Sequence, residues 1–128
     1  MAAALATELT RTGLRAHSEV PSVLNPPAAV IGLGEGKYDD FGGSMTVHFG
    51  VLIIVSASNA RNAQKMLRDY CSTTGPSSVR TALQVDRLSH QGTDLGVDVR
   101  VGGWDPPAVI EVGGIEYLGV EFSIEVVE

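Results

Sequence analysis

IEYLGVEFSIEVVE, residues 115–128, is the stretch that decides the fold, because its side chains alternate between apolar and polar along most of its length. Successive side chains of a strand point to opposite faces of a sheet. One face of this predicted strand is apolar and carries Leu118, Val120, Phe122, Ile124 and Val126. The other face carries Glu121, Ser123 and Glu125. The pattern predicts a sheet with one face on a core and one acidic face towards water or a partner.

A second long strand is predicted for residues 44–55, where every second side chain from Met45 to Val55 is apolar. Its last five residues, Val51 to Val55, are apolar on both sides, which is typical of a strand that is covered on both faces. Helices can supply one cover, while the sheet folding over itself or a neighbouring subunit can supply the other. Gly50 lies where the pattern changes and predicts a bulge or kink.

The rest of the chain predicts helices and shorter strands. Apolar residues three and four apart predict a helix over 60–71. The residues that face away from its core side are Arg61, Gln64, Lys65 and Arg68. Shorter helices are predicted for 2–12, closed by Gly13, and after Ser77 or Ser78.

The remaining predicted strands cover 14–19, 28–33, 93–101 and 108–112. Residues 34–43 predict a glycine-rich hairpin tip, and Gly113-Gly114 predicts a tight turn into the closing strand. The order of elements predicts one α+β domain over residues 1–128. Its architecture would be a mainly antiparallel twisted sheet with about three helices packed on one face.

The composition disfavours several classes of protein. The 128 residues carry 15 acidic and 9 basic side chains, and the formal charge of -6 disfavours nonspecific binding to DNA or anionic membranes. The single cysteine, Cys71, cannot form an internal disulfide, which is compatible with a reducing cytoplasm. No apolar run approaches the roughly 20 residues that span a bilayer, and the first residues are unlike a secretory signal. We therefore expect a soluble protein.

No motif carries catalytic or cofactor chemistry. The segment GLGEGK, residues 32–37, lacks the spacing of a phosphate-binding loop, so a hairpin tip is the better interpretation. His17, His48 and His90 lie on different predicted elements, and a zinc site would need them to converge. The pair Asp39-Asp40 is better explained as a solvated loop than as an acid/base pair. We therefore expect no enzyme, no catalytic residue, no metal and no cofactor.

Two groups of residues are candidates for an interface. The first lies in the glycine-rich tip and comprises Tyr38, Asp39, Asp40 and Phe41. Its aromatic side chains either anchor a partner or fold back under the hairpin. The second lies on a helix face and comprises Arg61, Lys65 and Arg68. These cations are either simply solvated or form ion pairs between subunits. Trp104 is expected to be partly buried at a corner of the sheet.

Six segments spread over nearly the whole chain follow one another in the order of a known family. They are the N-terminal helix ending at Gly13, NPPAAV (25–30), VLIIV (51–55), NAQKML (62–67), GPSSVRTAL (75–83) and YLGVEF (117–122). In this order they resemble the tail terminator proteins of long-tailed bacteriophages, or siphophages, particularly those of actinobacterial hosts.

The resemblance implies a noncatalytic structural protein of the virion, placed in the tail and neck and assembled in the host cytoplasm. It implies a ring, usually a homohexamer, that caps the tail tube and ends tail growth. The partners would be other copies of the chain, the tail tube protein and the head completion or connector protein. DNA would pass through the ring without sequence-specific binding, and no membrane would be involved.

An acidic surface suits a channel for DNA, because it repels phosphate. Some of Asp39, Asp40, Glu121 and Glu125 are therefore candidates for lining such a channel, although Glu121 and Glu125 can also be ordinary solvated sheet residues. One alternative is another phage neck or tail tube ring protein. A second is a small dimeric ligand-binding or regulatory α+β module with a pocket at the sheet edge. A cluster of histidines with carboxylates in the fold would instead favour an enzyme.

Overall fold

The computed structural model describes residues 2–12, 14–18, 25–38, 45–57, 60–84, 88–90 and 93–127. The helices are α1 (Ala2–Leu9), α2 (Ala60–Cys71) and α3 (Val79–Leu83), and a 3-10 turn follows α1 at Thr10–Thr12. The strands are β1 (Arg15–His17), β2 (Ala28–Tyr38), β3 (Met45–Ser56), β4 (Ser89–His90), β5 (Thr93–Asp94), β6 (Asp98–Trp104), β7 (Ala108–Val112) and β8 (Ile115–Val127).

The closing strand β8 lies inside a six-stranded sheet whose order is β1-β2-β3-β8-β6. β3 pairs with one side of β8, from Thr46 opposite Val127 to Ser56 opposite Tyr117. The other side of β8 is shared, because β6 pairs with its second half and β7 with its first half. These pairs are antiparallel, whereas β1 runs parallel to β2. The predicted α+β fold with a mainly antiparallel sheet is confirmed.

The main core lies between one face of the sheet and the helices. The apolar face of β8 is buried there, as predicted, and its members Val120, Phe122, Ile124 and Val126 are at most 1% exposed. The helices add Leu5 and Leu9 from α1, Ala63, Leu67 and Tyr70 from α2, and Val79 and Leu83 from α3. Burial raises the pKa of the Tyr70 hydroxyl, and the charge of Asp69 adds to this rise.

Ser78 begins α3, as the sequence predicts. Its hydroxyl accepts a hydrogen bond from the backbone N–H of Thr81 at 3.1 Å and donates one to the carbonyl oxygen of Ser72 at 2.6 Å. The cap therefore satisfies a free N–H group of the first turn and ties α3 to the segment that follows α2.

A smaller apolar cluster covers the opposite face of the sheet near the end of β3. Its buried members are Ala28, Ile54 and Tyr117, with Val30, Leu52, Ile110 and Val112 packed against them. The hairpin of β7 and β8 supplies Ile110, Val112 and Tyr117, so side chains of the same sheet provide the second cover that the end of β3 requires. Gly119 allows this packing, because a Cβ there would lie 2.5 Å from Cδ1 of Ile110.

Of the bulge or kink predicted at Gly50, the bulge is wrong, because β3 keeps a continuous register there with both β2 and β8. This glycine instead makes room for a side chain, since a Cβ at position 50 would lie 2.6 Å from Oε1 of Glu121. The irregularity occurs in the neighbouring strand, between Leu33 and Gly36 of β2. β2 continues beyond it to Tyr38, so the first half of the predicted tip 34–43 belongs to a strand.

The strand predicted for 93–101 is split in two. β5 pairs with β4 in a separate two-stranded sheet, and β6 begins only at Asp98. Gly96 lies between them with a φ of +70°, a conformation that glycine adopts without strain. The turn predicted at Gly113-Gly114 is confirmed, because both glycines have positive φ. The predicted helix end at Gly13 lies outside the described residues.

Candidate interaction surfaces

The sheet face opposite the helices, here called the open face, carries the two acids that the sequence places opposite the core. Glu121 and Glu125 are both exposed, and they lie about 13 Å apart along β8. The register places Glu125 between His48 of β3 and Arg100 of β6. Arg100 also lies 4.0 Å from the carboxylate of Asp98. The open face is therefore acidic at Glu121 and of mixed charge around Glu125.

A row of small residues crosses the open face. Gly32, Gly50, Ser123 and Gly103 are successive register partners on β2, β3, β8 and β6. We call this row the small-residue band. The carboxylate of Glu121 lies above Gly50 and borders a shallow depression over the band. The band therefore gives the open face little relief, with an exposed carboxylate beside it.

The basic face of α2 is exposed, as predicted. Arg61, Lys65 and Arg68 lie four and three residues apart, so their side chains follow one another along one side of the helix. None of them forms an ion pair with another residue of the described ranges. Like charges at this spacing slightly destabilise a helix, so an external anion at this face would relieve a repulsion.

A groove of about 440 Å³ lies beside this basic face, between α2 and the turn from β6 to β7. We call it the Trp104 groove. Its apolar residues are Leu67, Cys71, Trp104, Pro107 and Leu118, and its polar residues are Gln64 and Arg68. The indole of Trp104 is 53% exposed, so a large aromatic surface faces solvent there. Burial raises the pKa of the Cys71 thiol.

The orientation of Trp104 depends on a β-bulge. Simple alternation from Val99 and Val101 would place Trp104 on the open face. The register of β6 against β8 instead shifts between Val101 and Gly103, and Gly103 has a φ of +151°. The extra residue brings Trp104 opposite Phe122 on the helix side, where the ring centroids are 6.1 Å apart. The groove was not predicted from the sequence, where the pair Gly102-Gly103 is the available signal for the bulge.

Tyr38, the described member of the first predicted interface group, lies at a different end of the sheet from the basic face of α2. Tyr38 is the last residue of β2 and pairs with Met45 at the start of β3. Asp39, Asp40 and Phe41 lie outside the described residues. The basic face and the Trp104 groove lie towards the other end of β3, because Leu118 of the groove pairs with Val55. Within one chain, the structure does not bring Tyr38 and the basic face of α2 together.

The histidines remain on separate strands, His17 on β1, His48 on β3 and His90 on β4. Among the described residues, no group of three or more His, Cys, Asp or Glu side chains could hold a metal ion. Within the same part of the chain, no helix is long and apolar enough to cross a membrane.

A scan of protein-family models and a search of curated proteins both found no match to this chain.

Proposed function

We propose that this protein is the tail terminator of a long-tailed bacteriophage. Several copies, six in the usual arrangement of the family that the sequence resembles, would close into a ring on the end of the tail tube. The ring would stop tail growth and join the tail to the head completion proteins. DNA would pass through its centre during packaging and ejection, without sequence-specific contacts.

The observation that carries this proposal is the open face of the sheet. Helices cover one face, while the small-residue band crosses the other and leaves Glu121 and Glu125 exposed. A surface of low relief with exposed carboxylates suits a duplex that must slide past it, because it offers few contacts and repels phosphate. A ring that turned these faces inward would line its channel with them.

Charge on the open face favours Glu121 as the residue that acts most strongly on passing DNA. Glu125 has Arg100 as a register partner, which offsets its charge, whereas Glu121 lies beside Gly50 and opposite Leu52. Repulsion between exposed charges fades beyond the Debye length, about 8 Å at physiological salt. The effect therefore requires a channel only slightly wider than the duplex.

The first test of the proposal is the mass of the protein in solution, measured by light scattering over a range of concentrations and salt. A closed ring of six copies would have a mass of about 80 kDa, since one chain is 13.4 kDa. Negative-stain images should show rings with a central opening. Long tubes would favour a tail tube protein instead. A strict dimer would contradict the proposal and favour a ligand-binding module that uses the Trp104 groove.

The second test addresses the channel. Glu121→Lys combined with Glu125→Lys should leave ring mass unchanged but make the ring bind short duplex DNA, with an affinity that falls steeply as salt rises. Glu111→Lys with Glu116→Lys is the matched control, because these exposed glutamates pair with each other on the helix side of the β7–β8 hairpin. If both pairs of substitutions had the same effect on DNA binding and DNA passage, Glu121 and Glu125 would not line the channel.

A further inference from the structure

We propose that residues 39–44 of one copy dock in the Trp104 groove of a neighbouring copy, with their acids against the basic face of α2. This contact rests on the ring proposed above and names the two surfaces that would join its subunits. Three features support it: the distance between the two surfaces within one chain, their complementary chemistry, and the basic side chains beside the groove, which form no ion pair within the described residues.

The distance excludes the same contact within a single chain. Six residues join Tyr38 to Met45, which are register partners, so the middle of this segment reaches at most about 13 Å from the strand ends. Trp104 of the groove pairs with Phe122, which in turn pairs with Val51. Val51 lies about 20 Å along β3 from Met45. Leu118 is aligned with Val55, about 34 Å away. Only the segment of another copy can therefore fill the groove.

The chemistry of the segment complements that of the groove. Residues 39–44 read DDFGGS, two acids followed by one large aromatic residue. The groove offers the exposed indole of Trp104 and the apolar side chains of Leu67 and Leu118, which suit the ring of Phe41. Arg68 borders the groove, and Arg61 and Lys65 continue the positive charge along α2. Asp39 and Asp40 would supply the anions that these three cations lack within the described chain.

The resulting interface is heterologous, because one copy contributes the segment and the next copy contributes the groove. A growing row of copies then has a free segment at one end and a free groove at the other, until the last contact closes the ring. A two-fold symmetric contact would instead consume both surfaces in one pair. Because the segment and the groove are separate surfaces, they can meet in either arrangement, and the ring proposed above requires the heterologous one.

Cys71 offers a direct test, because this natural thiol lines the groove. Gly42→Cys places a second thiol beside Phe41 without altering the acids or the aromatic ring. Under mild oxidation at alkaline pH, where the Cys71 thiol ionises, this variant should form a ladder of disulfide-linked multimers on a non-reducing gel. The ladder should end at the number of copies in the ring and collapse to monomer on reduction.

Two controls separate this contact from random oxidation. Gly42→Cys with Cys71→Ser can link segments only to each other, so it should stop at dimers. Ser123→Cys, exposed on the open face away from Cys71, should give no ladder.

As a second measurement, Phe41→Ala or Arg68→Glu should raise the concentration needed for half-assembly by about tenfold or more. Arg15→Glu, the same charge change at exposed Arg15 on β1, should leave that concentration unchanged.

The outcomes distinguish this inference from the proposed function. If the wild-type protein forms rings and Gly42→Cys forms no ladder, the docking contact is overturned and the ring stands. If Gly42→Cys yields closed dimers through Cys71, the contact is two-fold and the heterologous interface is overturned. If the wild-type protein forms no ring under any condition, the proposed function fails first, and this inference fails with it.

Discussion

Replacing Gly119 by alanine tests how the second apolar cluster is built. The added Cβ would lie 2.5 Å from Cδ1 of Ile110, 3.2 Å from the backbone oxygen of Ile53 and 3.4 Å from Cγ2 of Ile54. Carbon atoms pack at about 3.5–4.0 Å, so Ile110 would have to retreat by about 1 Å from its place in the cluster. Overpacking of this kind typically costs about 1–3 kcal/mol.

An opposing effect must be separated from this cost, because alanine restricts the unfolded chain more than glycine and can stabilise by about 0.4–1 kcal/mol. Gly32→Ala measures that benefit nearly alone, since its Cβ would lie 4.0 Å from the nearest atom, the backbone oxygen of Gly50. We therefore expect Gly119→Ala to lower the free energy of unfolding by about 1–2 kcal/mol. Gly32→Ala should leave it unchanged or raise it by up to about 1 kcal/mol.

Ile110→Val provides the rescue, because valine lacks the Cδ1 atom that the alanine would meet. Alone, this change should cost about 0.5–1.5 kcal/mol. Combined with Gly119→Ala, it should recover at least half of the stability that Gly119→Ala loses, and this recovery defines a coupling between the two sites.

Urea unfolding measures these effects through the fluorescence of Trp104, which is the single tryptophan and lies against Phe122. Circular dichroism checks that both probes report one transition. At typical slopes of about 1–3 kcal/mol per molar urea, the expected loss shifts the midpoint by roughly 0.3–2 M. Equal stability of Gly119→Ala and Gly32→Ala, or no recovery with Ile110→Val, would show that Ile110 does not cover Gly119.

Three further predictions concern the cap, the β2 irregularity and the groove thiol. Ser78→Ala should lower the free energy of unfolding by about 1–2 kcal/mol, because it removes both hydrogen bonds of the α3 cap; urea titration beside Ser77→Ala checks this. Gly34→Ala should destabilise by about 1–3 kcal/mol in the same assay, because its Cβ would lie 2.8 Å from the backbone oxygen of His48. Gly36→Ala, at 3.8 Å from its nearest neighbour, should be close to neutral. Burial raises the pKa of Cys71, so iodoacetamide should modify it more slowly than a cysteine at exposed position 123 at mildly alkaline pH. The unfolded chain loses this proton first, so stability should fall as pH rises past the ordinary thiol pKa of about 8.5, and Cys71→Ser should remove that part of the fall.

The parts of the fold that could be predicted are those in which one buried face repeats along the chain. The alternation of β8 and the helical spacing of α2 both identified buried residues. In a strand, a shift of one residue would expose the whole apolar set, and in a helix, residues three and four apart share one face. Gly50 shows the limit of this reasoning. It looked like a local irregularity, yet the feature found there is the carboxylate of Glu121, which lies over Gly50 from a strand far along the chain. A contact of that kind leaves no trace in the residues around Gly50.

The same distinction between periodic patterns and long-range contacts applies to the candidate surfaces. Exposure of Glu121, Arg61 and Arg68 followed from periodicity, because each alternates with residues that the core requires. The Trp104 groove did not follow, since the bulge before Trp104 reverses the face that alternation assigns to it, and α2 supplies the other wall. The exposed charged residues could therefore be predicted from the sequence. The groove beside them could not, because it depends on how the strands and α2 are arranged in the fold. The same topology places the groove far along β3 from the strand ends Tyr38 and Met45, so the six residues that join these ends are too short to reach the groove of their own chain.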